Sequence, residues 1–155
     1  AGQGSELGTS IEEIGHLYKN YLSDLPVKFC FDTAHARGAG NDLEHRDSLL
    51  AQRDDQIGLD NLYCFHLNDA KVARGSHLDR HAPLGKGAIG WKNLIPIIQW
   101  AAANDRHIYL ETTEPERRPQ EISWIRDIIA GNTDEVMRLH EIDYQTELLK
   151  KFQDG

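Results

Sequence analysis

The sequence lacks the features that define several large classes of protein. It has two cysteines, Cys30 and Cys64, and both sit inside apolar, strand-like runs rather than in loops. A disulfide framework is therefore not expected, and the thiols read as reduced. No apolar run approaches the length of a bilayer-spanning helix, and the opening AGQGSELGTS is unlike a signal peptide. The expectation is a cytoplasmic protein with no membrane partner (nuclear or mitochondrial if the source is eukaryotic). An excess of positive charge is missing too: the formal net charge is −8, which argues against a generic nucleic-acid binder. No P-loop is present, and the GxGxxG at 85–90 does not directly follow a predicted strand, which weakens a nucleotide-binding reading. Nor is there an initiator methionine. The chain enters on a glycine-rich turn as though a strand had just ended, and is expected to be a piece of something longer.

What is present is an ordinary globular composition, 39% hydrophobic and 27% charged over 155 residues, enough for one domain with a core. Ser10 and Glu13 read as a capping box that opens an amphipathic helix over 11–22. A strand over 27–31 ends on Asp32, and a glycine-containing turn at 35–40 leads to a helix over 42–55. A strand over 62–67 is followed by a long loop, then by a helix over 91–103 with Pro96 about one turn in. A third strand covers 107–112 and a helix 119–130. A last helix, over 133–152, carries Val136, Leu139, Ile142, Leu149 and Phe152 along one stripe. Strands near 30 residues or more apart and separated by helices predict an α/β fold with a parallel sheet and right-handed crossovers. Three such βα units are about 40% of an eight-unit (β/α)8 barrel, so a partial TIM barrel is one architecture they fit.

The chemistry concentrates at the strand ends. All three predicted strands end in a residue that binds metals: Asp32, His66 and Glu111. In an α/β barrel those tips form the active-site face. Alternation puts Cys30, Cys64 and Tyr109 one layer below them, and turns Phe29, Phe31, Tyr63, Phe65, Ile108 and Leu110 toward the helices. The stretch 66–90, HLNDAKVARGSHLDRHAPLGKGAIG, adds Asp79 and His81, and DTAH at 32–35 adds His35. An isolated DxxH or DxH is a surface turn; convergence on one rim is what favours a multinuclear site. Mixed oxygen and nitrogen donors suit Zn²⁺ or Mn²⁺ better than Ca²⁺ or Mg²⁺. From 71 to 90 four cations (Lys71, Arg74, Arg80, Lys86) face one acid (Asp79), a local charge of +3 that suits an anion. Cys30 and Cys64 read as buried thiols. His16, His45, His77, His107 and His140 read as surface or structural, with His77 the first to reinstate.

FDTAH at 31–35, HLND at 66–69, GSHLDRHAPLGKGAIG at 75–90 and LETTEP at 110–115 resemble the endonuclease IV family. These are AP endonucleases of base-excision DNA repair, built on a xylose-isomerase-like TIM barrel. The resemblance covers residues 1 to about 130, and DRH and GKG are its most specific elements; it implies that 1–130 is part of a TIM (β/α)8 barrel and that 131–155 is a helical extension. It implies a deoxyribonuclease IV-like phosphodiesterase with three zinc ions that hydrolyses DNA 5′ to an abasic site. Carried over by motif, His35, Asp79 and His81 form one zinc site, while Asp32, His66 and Glu111 supply most of a second. Glu111 is the catalytic carboxylate, and Arg74, Arg80 and Lys86 contact DNA. At most about two ligand sets are present, because the Glu that precedes AGQG in the family and the two histidines of the third site are missing. Other departures are Ala34, Ala88, and His77 where an Arg is usual. A half-barrel has open edges, so self-association or a complementary N-terminal half is expected. The alternatives are a sugar isomerase or epimerase of the same superfamily using Mn²⁺ or Mg²⁺, and a non-catalytic half-barrel.

Overall fold

The apolar strand runs assemble, in a computed structural model that describes residues 1–153, into an open three-stranded sheet with helices against one face. Strands β1 (Phe29–Asp32), β2 (Leu62–His66) and β5 (His107–Tyr109) are parallel in the order β1-β2-β5. Helices α3 (Arg46–Ile57) and α4 (Gly90–Ala103) make the crossovers, and α5 (Arg118–Ile129) and α6 (Thr133–Gln153) follow β5. Phe31 and Phe65 meet Leu94, Ile98, Trp124 and Ile128 in one buried cluster on the helix side. Burial of each such side chain stabilises the fold by about 1.5–3 kcal/mol. The opposite face, the inside of a closed barrel, carries Cys30 and Tyr109 in the open. The α/β class and the parallel sheet are as the sequence predicts. Among the described residues no helix is long and apolar enough to cross a membrane.

Several local expectations are revised. Tyr63 does not face the helices and is 50% exposed. The β1–β2 register steps from Phe29↔Leu62 to Cys30↔Cys64, so Tyr63 is an extra residue. Such a bulge breaks the period of two, and Leu62 takes the helix-side place. The turn predicted at 35–40 is largely a short helix, α2 (Thr33–Gly38), started by Asp32, whose Oδ1 accepts the His35 N–H at 2.8 Å. Helix α3 starts at Arg46, not 42. Helix α1 (Ile11–Leu17) has its Ser10 cap, but Glu13 accepts from the N–H groups of Gly8 and Thr9, not from Ser10. Helix α4 begins at Gly90, so Pro96 stands in its interior, further in than the one turn expected. The β5 ladder stops at Tyr109, leaving Glu111 two residues past it.

The long loop is built, not slack. A two-residue antiparallel pair, β3 (Asp69–Ala70) with β4 (His81–Ala82), folds it back on itself. The wholly buried Asp69 carboxylate then accepts from the N–H groups of Ala70, Gly85, Gly87, Ile89 and Gly90, at 2.8 to 3.3 Å. Burial pushes its carboxyl up from the ordinary aspartate value, and the backbone N–H groups pull against that. Gly87 is required here, because a Cβ would stand 2.3 Å from Asp69 Oδ1 and 2.5 Å from the Ala70 carbonyl. A second buried acid, Glu121 of α5, accepts from Leu84 N at 2.8 Å and from Thr112 Oγ1 at 2.6 Å.

Helix α6 packs on α5 and over the 84–87 turn. Val136 is buried, and the His140 ring lies 6.1 Å from both Trp91 and Trp124. Among the described residues the predicted apolar stripe is buried at Val136 but exposed at Ile142 and Leu149, and the side chain of Phe152 lies outside the described residues. Asp69→Ala leaves its backbone donors buried without an acceptor. It is expected to lower unfolding stability by on the order of 3 kcal/mol, read as a reduced urea midpoint at unchanged slope.

Candidate metal centre

Strand alignment sets the site. Asp32, His66 and Tyr109 are register partners across the sheet, so the ends of three neighbouring strands open onto one rim. Six side chains of metal-binding type converge there. His66 Nδ1 lies 3.0 Å from Glu111 Oε2 and 3.7 Å from Asp32 Oδ2. His35, in the first turn of α2, has Nδ1 at 3.9 Å from Asp32 Oδ2 and Nε2 at 2.9 Å from Asp79 Oδ2. His81, on β4, sets Nε2 3.0 Å from Asp79 Oδ1 and Nδ1 3.1 Å from the Glu111 carbonyl. Two triads of donors lie within 4.8 Å of one another: Asp32 with His35 and His81, and Asp32 with His66 and Glu111. The grouping read from the motifs put Asp32 in one set only. In the structure it reaches both, while Asp79 spans the two histidines of the first.

The residues fit a cation. If His81 donates Nδ1–H to the Glu111 carbonyl, its Nε2 is left with a lone pair. That nitrogen faces an oxygen of Asp79, and neither atom is exposed or has a hydrogen-bond partner among the described residues. Two acceptors in contact need a cation or a proton between them. Burial raises the Asp79 carboxyl, but the hydrogen bond from His35 and the charges of His35 and His81 outweigh it and hold it below the ordinary aspartate value.

Cys30 and Cys64, register partners one layer down, are a thiol pair. Much of Cys30 is open to solvent, yet local desolvation and the contact with Cys64 push its thiol up to about 12. His77 is exposed in a left-handed backbone, φ 55, with its ring against Gly2. His45 bonds to Asp42 at 2.8 Å, and the His107 ring lies tilted against Tyr63, 5.2 Å between ring centres.

The cations of the loop are placed unequally. Arg74 is half exposed, 3.5 Å from Asp42. Arg80 is exposed and donates to the Asp79 carbonyl at 2.6 Å. Lys86, 15% exposed, pairs with Glu147 of α6, which also accepts from Arg117 at 3.0 Å. Sequence reasoning passed over Arg117, Glu147 and Asn68. Only Asn68 had a signal: it stands two residues after His66, on the same side of the chain.

Residues 1–128 match the sequence model of a family described as xylose isomerase-like TIM barrel. The chain is 39% identical over 128 residues to the probable endonuclease 4 of Thermoplasma volcanium, across 81% of this chain and 45% of that protein. To the probable endonuclease 4 of Alkaliphilus oremlandii it is 36% identical over 129 residues, across 82% of this chain and 46% of that one. The crystal structure of endonuclease IV from Thermus thermophilus superposes with a TM-score of 0.66 at 32% identity, covering 86% of this chain and 47% of that one. The chain spans about half the length of the curated relatives it matches.

In the metal-free protein, a carbon-detected titration of Asp79 is expected to give a midpoint below the ordinary aspartate value, and His35→Ala to raise it. Because the folded value is the lower one, the pair stabilises the fold above the unfolded pKa of about 3.9 and loses that effect as pH falls through the folded midpoint.

Proposed function

The chain belongs to the xylose isomerase-like TIM barrel family, and on that footing we propose that it carries zinc ligands and DNA contacts of an apurinic/apyrimidinic endonuclease of base-excision repair. The reaction is hydrolysis of the phosphodiester 5′ to an abasic site. The observation that supports it is the meeting of six donors of metal-binding type at one rim beside a basic loop, in a chain whose relatives are called endonuclease 4. Residues 1–130 form the barrel portion and 131–155 an extension.

Asp32, His35, Asp79 and His81 would hold one zinc, and Asp32, His66 and Glu111 would contribute to a second. When bound, zinc would supply Lewis-acid stabilisation of the phosphoryl oxygens and lower the pKa of a bound water to about 7. The chain's own residues do the rest. Glu111 is the catalytic carboxylate, held by His66 on one side and by its own carbonyl's bond with His81 on the other. Arg74 and Arg80 project from the loop to meet phosphates, and Lys86 does so by exchanging Glu147 for a phosphate oxygen. An abasic nucleotide leaves the stack at low cost, which favours it over paired neighbours. The partner on the protein side is the complementary portion of the barrel, or a second copy, laid over the exposed Cys30, Tyr63 and Tyr109. The compartment in which this work is done is the cytoplasm.

Atomic emission on the purified chain tests the ligand set: His81→Ala is expected to lose one zinc per chain, and unchanged content removes that ligand. With the complementary portion of a relative added, cleavage of an abasic duplex is expected to vanish in Glu111→Gln. Lys86→Ala is expected to weaken binding to that duplex and to reduce the salt slope by about 1. An unaltered slope takes Lys86 off the DNA.

A further inference from the structure

Asn68 is wholly buried, immediately beside the rim. Its side-chain oxygen accepts the Glu111 N–H at 2.9 Å, which decides which end of the amide carries the hydrogens. Nδ2 then donates to Asp32 Oδ2 at 3.0 Å and reaches Glu111 Oε2 at 3.4 Å. The same two oxygens are the ones that crowd His66 Nδ1. Asn68 is itself fixed from below by the buried Thr33, whose Oγ1 donates to the Asn68 carbonyl at 2.6 Å and accepts its N–H at 2.8 Å. A side chain with two N–H groups and no charge suits this place chemically. A lysine or arginine would neutralise the carboxylates that a cation needs, and a carboxylate would add to their repulsion.

The geometry points to Asn68 as a positioning residue that bridges the Asp32 and Glu111 carboxylates and presets their separation and rotation for one divalent cation shared with His66. The inference rests on the metal reading above and extends it. Asn68 engages both carboxylates of the Asp32–His66–Glu111 triad but only one member of the Asp32–His35–His81 triad. Its loss therefore acts unequally on the two.

The test is zinc binding to the purified full chain, without DNA, by competition with a chromophoric chelator. His81→Ala and His66→Ala backgrounds isolate the two triads. Asn68→Ala is expected to weaken the site that retains His66 by about 10- to 100-fold and the site that retains His35 and His81 by clearly less. Equal weakening of both sites, which a merely structural role would give, overturns the assignment, as does no weakening. Should Asn68→Ala fail to fold, wild-type NMR decides instead: the Asn68 side-chain amide signals, assigned through their proximity to the Glu111 N–H, are expected to shift with zinc at the same midpoint as the His66 ring. Signals that stay put overturn the role. A wild-type chain that takes up no zinc overturns the metal reading and this inference with it. A chain that binds zinc while Asn68→Ala is indistinguishable from wild type overturns this inference alone.

Discussion

The candidate site depends on hydrogen bonds between buried carboxylates and backbone N–H groups. Asp69 gathers the amides of 85, 87, 89 and 90, and Glu121 takes that of 84. Without them the 71–90 segment would be a long excursion with no element of its own, a form compact domains seldom keep. With them it returns against the sheet, and β4 sets His81 beside Glu111. The loop's amides would otherwise be buried donors without partners. The same bonds therefore satisfy the backbone and aim the imidazole.

At the rim the difficulty is opposite in kind, because too many acceptors share too little space. Asp32, Asp79 and Glu111 stand among His35, His66 and His81, and each carboxylate has an imidazole nitrogen within 4 Å. Neutral donors hold the acids in place without cancelling their charge: the His35 backbone N–H on Asp32, and the Asn68 amide on Asp32 and Glu111. The acids' negative charge is thus kept while their positions are fixed. Preorganisation of this kind is what outer-shell partners contribute to metal sites.

The parts legible in the sequence were those with a period or a cap. Apolar runs ending on Asp32 and His66 identified two strand tips, while the third ladder stops two residues before Glu111. The 3.6-residue pattern located α4, and the prolines at its start and Gly131 after it located α5. What failed had no repeat to read. A two-residue ladder such as β3–β4 shows no alternation, and one extra residue at Tyr63 inverts the faces upstream of it. Asn68 was overlooked because an amide after a strand looks like an ordinary turn residue; its role appears only once Glu111, 43 positions later, is beside it. The Lys86–Glu147 pair spans 61 positions and joins the family-matched region to a helix outside it. No local rule could have connected the two.

That pair changes the electrostatics of the basic loop. Lys86 and Arg117 share one carboxylate from α6, so the chain carries a counterion of its own at that place. A polyanion arriving there gains less than it would from bare cations, since it must also turn out a resident acid tethered at high effective concentration. The acid, once displaced, stays nearby on its helix and repels the newcomer. The C-terminal helix thus brings negative charge against Lys86 and Arg117, so the positive field at that end of the loop is weaker than the loop's own residues would give.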